Sequence, residues 1–192
     1  MGQVFHYAPD MRNIFLSFGS NCGNCARFMK DAIMLLEEQG IIVISRSSLY
    51  ETESVGSESS NYLNAVVEVE TLMSPTELMH VCLMTETRLG RIRGFGEIRW
   101  GARTMDIDIL IYGNDVCGWS LHANGMYVAE DTLKTLVVPH PRMHERNFVL
   151  VPFVELLANH GEVLHPIFHK TIFHLLAESS DTHRVALADH QW

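Results

Sequence analysis

Asn61-Tyr-Leu-Asn-Ala-Val-Val-Glu-Val-Glu-Thr71 alternates as a strand with two unlike faces does. Leu63, Ala65, Val67 and Val69 share one side, and Tyr62, Asn64, Val66, Glu68 and Glu70 share the other. Ser74-Pro-Thr-Glu77 then reads as a capping box with proline at the first helical position. It opens a helix whose Leu78, Val81, Cys82, Thr85 and Leu89 form one apolar stripe, ended by Gly90. Thr104–Tyr112 returns to alternation, with Met105, Ile107, Ile109 and Ile111 on one face and Asp106 and Asp108 on the other. Working back from this unit, Asn13–Phe18 reads as a strand. Asn24–Gln39 follows as a helix with Asn21 or Asn24 as cap and Gly40 as stop, and Ile41–Ser47 as a second strand. Tyr50–Ser60, rich in Ser and Glu, is expected to be an exposed loop. The order β-α-β-β-α-β predicts an α+β, ferredoxin-like fold: a mostly antiparallel sheet with helices on one side and extra C-terminal elements. Gly113–Thr135 is a long polar connection with room for a hairpin. Pro152–Ala158 and Pro166–Leu176 are expected to be short helices.

At 192 residues, 47% hydrophobic and 19% charged, the chain suits a single domain with a sizeable core and excludes wholesale disorder. It contains no apolar run of the roughly 18–20 residues a membrane span requires, and Met1–Arg12 lacks the apolar core of a signal peptide. A cytoplasmic protein with no membrane partner is the expectation. Fourteen basic against 23 acidic residues leave a net charge of −9, which argues against a nucleic-acid partner on average. The average conceals Arg88, Arg91, Arg93, Arg99 and Arg103, among which Glu97 is the only acid. This stretch, threaded by Gly90, Gly94, Gly96 and Gly101, reads as an anion-handling loop rather than a solvated helix face.

Asp106 and Asp108, two apart on a strand, project from one face with Cα atoms roughly 6.6–7 Å apart. Paired carboxylates on a sheet call for a positive partner. Either the neighbouring arginines supply it, or a hard cation such as Mg²⁺ does, leaving its other positions to water and phosphate oxygens. D-x-D alone is a weak signal. Its company is stronger, because Arg91, Arg93, Arg99 and Arg103 precede it and His140, Arg142, His144 and Arg146 follow in Pro139-His-Pro-Arg-Met-His-Glu-Arg146. Carboxylates for Mg²⁺ and arginine forks for phosphate are complementary parts of a nucleotide site. The chain has no phosphate-binding G-x-x-x-x-G-K-[ST] and no protein-kinase signature.

Six blocks, taken in order, resemble a known family: Phe18-Gly-Ser-Asn21; Leu49-Tyr-Glu-Thr52 with Val55-Gly56; Tyr62-Leu-Asn-Ala-Val66; Leu89-Gly-Arg-Ile-Arg93; Arg99-Trp-Gly-Ala-Arg-Thr-Met-Asp-Ile-Asp-Ile109; and Val138-Pro-His-Pro-Arg-Met-His-Glu-Arg146. The family is 6-hydroxymethyl-7,8-dihydropterin pyrophosphokinase of folate biosynthesis, and the resemblance covers about Asn13–Ala158. It implies a ferredoxin-like fold and transfer of pyrophosphate from ATP to the pterin hydroxymethyl group, with release of AMP. It implies that Asp106 and Asp108 bind two Mg²⁺ ions and that Arg91 and Arg103 steady the triphosphate as catalytic arginines. Arg93 and Trp100 would belong to a loop closing over ATP. His140 and Arg146 would contact phosphate, and Glu86 and Ile109 would lie on the nucleotide side. Tyr62 and Phe148 would sandwich the pterin, Asn64 would bond its edge, and Thr52 and Val55 would complete its pocket. Other folate-pathway enzymes are implied as possible partners.

Ala102 departs from the family's proline, Glu53-Ser54 from its more apolar pair, and Gly113–Thr135 exceeds the expected length. Two rival classes remain at this stage. A ferredoxin-like nucleic-acid binder would use the arginines and Tyr62 but needs neither aspartate. A thiol redox protein would use Cys22-Gly-Asn-Cys25. His165 and His169 stand four apart, and surface histidines are the expectation there rather than metal ligands. Met1–Arg12, the long connection and the tail beyond Ala158 have no assigned role.

Overall fold

The computed structural model describes residues 13–53, 61–92, 103–122, 125–130, 136–158, 161–189 and 192. Its central strand β1 is Ile14–Ser20, apolar enough to be buried on both sides. It pairs antiparallel with β4, Tyr62–Glu70, on one edge and with β5, Asp106–Tyr112, on the other. Strand β2, Ile42–Arg46, and the short β3, Tyr50–Thr52, both lie along the far edge of β4. Every pairing in this sheet is antiparallel, and the order β5-β1-β4-β2/β3 is that of the ferredoxin-like unit. Tyr50–Thr52 is therefore a strand rather than the exposed loop expected from its polarity. Its backbone groups are taken by β4 on one side and on the other by β8, Val185–Leu187.

Two helices cover one face. α1, Cys25–Glu37, begins at Asn24, whose side chain accepts the N–H of Arg27, and buries Met29, Ala32, Ile33 and Leu36. Gly40, at φ +80°, turns the chain into β2. α2, Pro75–Arg88, has the capping box: the Ser74 hydroxyl accepts from the Glu77 N–H, and the Glu77 carboxylate accepts from the Ser74 N–H. These helices share a core with Leu16 and Phe18 of β1, Leu63, Ala65 and Val67 of β4, and Ile107 and Ile109 of β5.

The C-terminal third covers the opposite face, so the sheet lies between two helical layers. α3, Asn147–Leu157, and α4, Ile172–Glu178, join Phe15, Val66, Leu110 and Ile111 in a second core. Phe15 and Phe153 meet there with ring centroids 4.6 Å apart, each ring worth on the order of 2–3 kcal/mol of burial. The expected segregation of Ile111 with Ile107 and Ile109 is corrected here. A bulge between Phe15 and Leu16 shifts the register so that Leu16 faces Ile109 while Phe15 faces Ile111. This places both Leu110 and Ile111 in the second core and Tyr112 in the first.

α3 is longer than expected because it tolerates Pro152 in its interior. α4 is later and shorter than Pro166–Leu176, because Thr171 is its cap, with Oγ1 accepting the His174 N–H. The expected hairpin consists of β6, Trp119–Leu121, and β7, Tyr127–Ala129. It is tied back by the Trp119 indole N–H to Pro139 O at 3.0 Å. At Gly118, φ is +67° and a Cβ would lie 2.4 Å from Leu136 O, so this crossing requires glycine. Among the described residues no helix is long and apolar enough to cross a membrane.

Candidate active site

The sheet face turned toward α3 ends in polar residues where β1, β4 and β5 run out from beneath that helix. Ser17 and Gly19 of β1, Tyr62 and Asn64 of β4, and Asp106 and Asp108 of β5 line one cavity of about 410 Å³. Arg103, Thr52, Arg142, Arg146 and Phe148 line it too. The strand period of two puts Asp106 with Asp108, and Tyr62 with Asn64, on this face. The antiparallel register joins the pairs through β1, with Gly19 opposite both Asn64 and Asp106.

At the charged end the two aspartates differ. Asp106 accepts from Arg103 Nη1 at 2.7 Å on one oxygen and from Arg91 Nη1 on the other. Burial pushes its carboxyl up, but the two guanidiniums outweigh burial and hold it below the ordinary carboxylate range. Asp108 keeps 39% of its side chain open. Burial first, and then the charge of Asp106, raise its pKa, against the weaker pull of Arg146, Arg91 and Arg103. A carboxylate with a raised pKa, open to a cavity and beside a second carboxylate, suits a hard cation. Among the described residues no group of three or more His, Cys, Asp or Glu side chains converges to hold a metal. A cation here would therefore complete its shell with water and phosphate oxygens, as Mg²⁺ does.

Arg91 and Glu86 sit behind this end rather than in it. Glu86 is fully buried, its carboxylate accepting from the Ile107 N–H at 2.8 Å and lying 3.2 Å from Arg91 Nη1. Arg91 also donates to Met105 O at 3.3 Å. Neither Glu86 nor Arg91, both expected on the ATP side, is among the residues that line the cavity. A buried ion pair is stable only when both charges are matched, and here the pair fixes Asp106 from below. Ile109 directs its side chain into the α1/α2 core. His140 Nε2 lies 3.9 Å from Asp108. Burial, followed by the charge of Arg146, lowers the His140 pKa to about 3, so the imidazole is neutral and the contact is not an ion pair.

At the other end Tyr62 and Phe148 provide the aromatic walls, and Arg146 Cζ stands 5.5 Å from the Phe148 ring centroid. The Asn64 amide donates to Thr52 Oγ1 at 2.9 Å, which fixes the orientation of a buried amide. Of the remaining sequence-predicted residues, Val55, Arg93 and Trp100 lie outside the described residues, as do Ala102 and Ser54. Cys22 and Cys25 are free, half-buried thiols at the start of α1. His165 is not a surface histidine: it is fully buried, and Nδ1 accepts from the Ile167 and Phe168 N–H groups.

Sequence reasoning missed one wall. Ser180, Asp181, Thr182 and His183 also line the cavity, carried there because β8 adds to β3. The only local signal was a short β-prone run, Val185-Ala-Leu187, which is too weak to place on a sheet edge.

An antiparallel α+β domain that gathers two carboxylates and several arginines beside an aromatic-walled slot has the makings of a phosphotransfer enzyme for a flat heterocycle. The sequence pattern of the 7,8-dihydro-6-hydroxymethylpterin-pyrophosphokinase (HPPK) family matches residues 15–158, and the chain belongs to that family. It is 37% identical over 149 residues to the Bacillus subtilis 2-amino-4-hydroxy-6-hydroxymethyldihydropteridine pyrophosphokinase, covering 76% of this chain and 79% of that one. Against the Methylorubrum extorquens protein of the same name it is 38% identical over 148 residues, covering 76% and 83%. A mitochondrial bifunctional folate synthesis protein of Arabidopsis thaliana is 37% identical over 147 residues, covering 76% of this chain but only 24% of that one. The Plasmodium falciparum HPPK-DHPS structure with pterin and p-hydroxybenzoate matches with a TM-score of 0.62 at 16% identity, covering 91% of this chain and 45% of that one. This last likeness concerns the fold alone, and the chain spans less than half of that polypeptide.

Proposed function

We propose that this chain transfers the pyrophosphoryl group of ATP to the hydroxymethyl group of 6-hydroxymethyl-7,8-dihydropterin in folate biosynthesis. Family membership carries the reaction. The single observation that carries the residue roles is that one cavity joins the Tyr62/Phe148 walls to the Asp106/Asp108 pair. The pterin hydroxymethyl oxygen bonds to the β-phosphorus, the bond from that phosphorus to the α,β-bridging oxygen breaks, and AMP leaves. The hydroxyl proton passes to solvent.

Tyr62 and Phe148 hold the pterin between their rings, and Asn64, oriented by Thr52, bonds its polar edge. Arg103 and Arg146 line the same cavity as the carboxylates and face the phosphates, supplying charge where it develops in transfer. Arg91 and Glu86 keep Asp106 ionised and in place. Neutral His140, whose Nδ1 accepts the Arg142 N–H at 3.1 Å, can donate from Nε2 to a phosphate oxygen without adding charge. Asp106 and Asp108 would hold Mg²⁺, two ions in the full assembly, which when bound neutralises phosphate oxygens and acidifies the attacking hydroxyl. Val55, Arg93 and Trp100 keep the roles the family resemblance implies, on segments outside the described residues.

The test is AMP release from ATP and Mg²⁺, followed with and without 6-hydroxymethyl-7,8-dihydropterin. AMP that appears only with the pterin supports the reading. AMP formed at the same rate without it, or no AMP at all from folded protein, overturns it.

A further inference from the structure

Phe148 is the second residue of α3, and the start of that helix lacks its own cap. Arg146, at the N-cap position, makes no side-chain capping bond. The acceptor comes from 34 residues further along the chain. Asp181 Oδ2 takes the Asn147 N–H at 2.7 Å, and the Asn147 side-chain amide donates back to Asp181 O at 2.8 Å. The second Asp181 oxygen takes the His183 N–H at 3.0 Å and faces His183 Nδ1 at 2.5 Å. The Asp181 side chain is only 7% exposed. Burial acts to raise its pKa, but these donors outweigh it and the net shift is downward. The segment is held from its other end by the Val185–Leu187 pairing with Tyr50–Thr52, and Thr52 is itself the partner of Asn64. One strand thus braces both the ring wall and the amide edge of the pocket.

We infer that Asp181 is a positioning residue for the pterin: through Asn147 it sets the first turn of α3 and so the Phe148 ring, while Thr182 and His183 form the third wall of the slot. This rests on the proposed pterin-binding role of the cavity. A charged acceptor spanning an otherwise uncapped helix start restrains position as well as stability. The aspartates that would meet Mg²⁺ lie on β5, whereas the Asp181 carboxylate bonds Asn147 and His183, so the effect should fall mainly on one substrate.

The experiment is steady-state kinetics of Asp181→Ala and Asp181→Asn with each substrate varied in turn, together with direct pterin binding by equilibrium dialysis. For Asp181→Ala, KM and Kd for the pterin should rise roughly tenfold, the size of one lost charge-assisted hydrogen bond. KM for ATP and kcat should stay within about twofold. Asp181→Asn, which keeps an acceptor oxygen, should recover part of the pterin affinity, and it serves as the test if the alanine variant does not fold. Equal losses for both substrates, or unchanged pterin KM and Kd in both variants, overturn the inference. Failure of the wild-type chain to release AMP with the pterin would instead overturn the underlying function.

Discussion

Asn21 clamps Arg103 by its main chain. The Asn21 N–H donates to Arg103 O at 3.0 Å, and Asn21 Oδ1 accepts the Arg103 N–H at 2.6 Å. The turn after β1 thereby fixes the residue whose side chain reaches Asp106.

Replacing Asn21 with alanine removes one of these two bonds and leaves the Arg103 N–H short of its partner inside a half-buried turn. The expected loss is about 1–2 kcal/mol of stability, or roughly 2–8 °C in Tm, read by thermal unfolding. kcat should fall more than pterin affinity, because Arg103 lies at the phosphate end. An unchanged kcat would show that Arg103 needs no anchoring.

Glu86→Gln keeps an oxygen for the Ile107 N–H but removes the charge facing Arg91. Removing one member of a buried pair can cost 3–5 kcal/mol, and Asp106 remains to share the Arg91 charge, so about 2 kcal/mol is expected here. Chemical denaturation would measure it. A variant as stable as the parent would mean that Asp106 alone satisfies Arg91.

Asp108→Asn separates the metal role from the fold. The Asp108 pKa is raised in the folded chain, so its carboxylate opposes folding above its ordinary pKa and the opposition grows as pH rises through the folded value. The amide should therefore raise Tm of the metal-free protein by a few degrees while reducing Mg²⁺-dependent turnover by at least about a hundredfold. Chelation of Mg²⁺ should silence the parent enzyme equally. Retained turnover in the variant at saturating Mg²⁺ would remove Asp108 from the metal site.

Acid should unfold the protein through its buried histidines. Burial first, and then the charges of His144 and His169, lower the His165 pKa to about 4, below its ordinary 6.5. The folded chain then binds fewer protons than the unfolded one. Stability is intact above about pH 6.5 and falls as pH drops toward 4, by up to about 3 kcal/mol from this residue. His144, lowered by burial, adds in the same direction. Denaturation curves between pH 7 and 4 would show the slope, and His165→Gln should flatten it. A slope unchanged in that variant would assign the effect elsewhere.

Much of this molecule was legible without coordinates because its signals are local. Alternation placed Tyr62 with Asn64 and Asp106 with Asp108, and the Ser74 box and Gly40 mark helix limits that depend on neighbouring atoms only. Ile111 was misplaced because a bulge is an event between two strands. The inward pairing of Glu86 with Arg91 was not legible, because a charge count cannot tell a buried pair from an exposed one.

By itself, the sequence determined the order of elements, the two-faced strands and the residue types that meet at the site, all properties of spacing along one chain. Only the tertiary structure decided which of those residues face the cavity and which stand behind it. Only it brought Asp181 and His183 to the pocket, because a three-residue strand has no stability or direction until β3 offers it an edge to pair with.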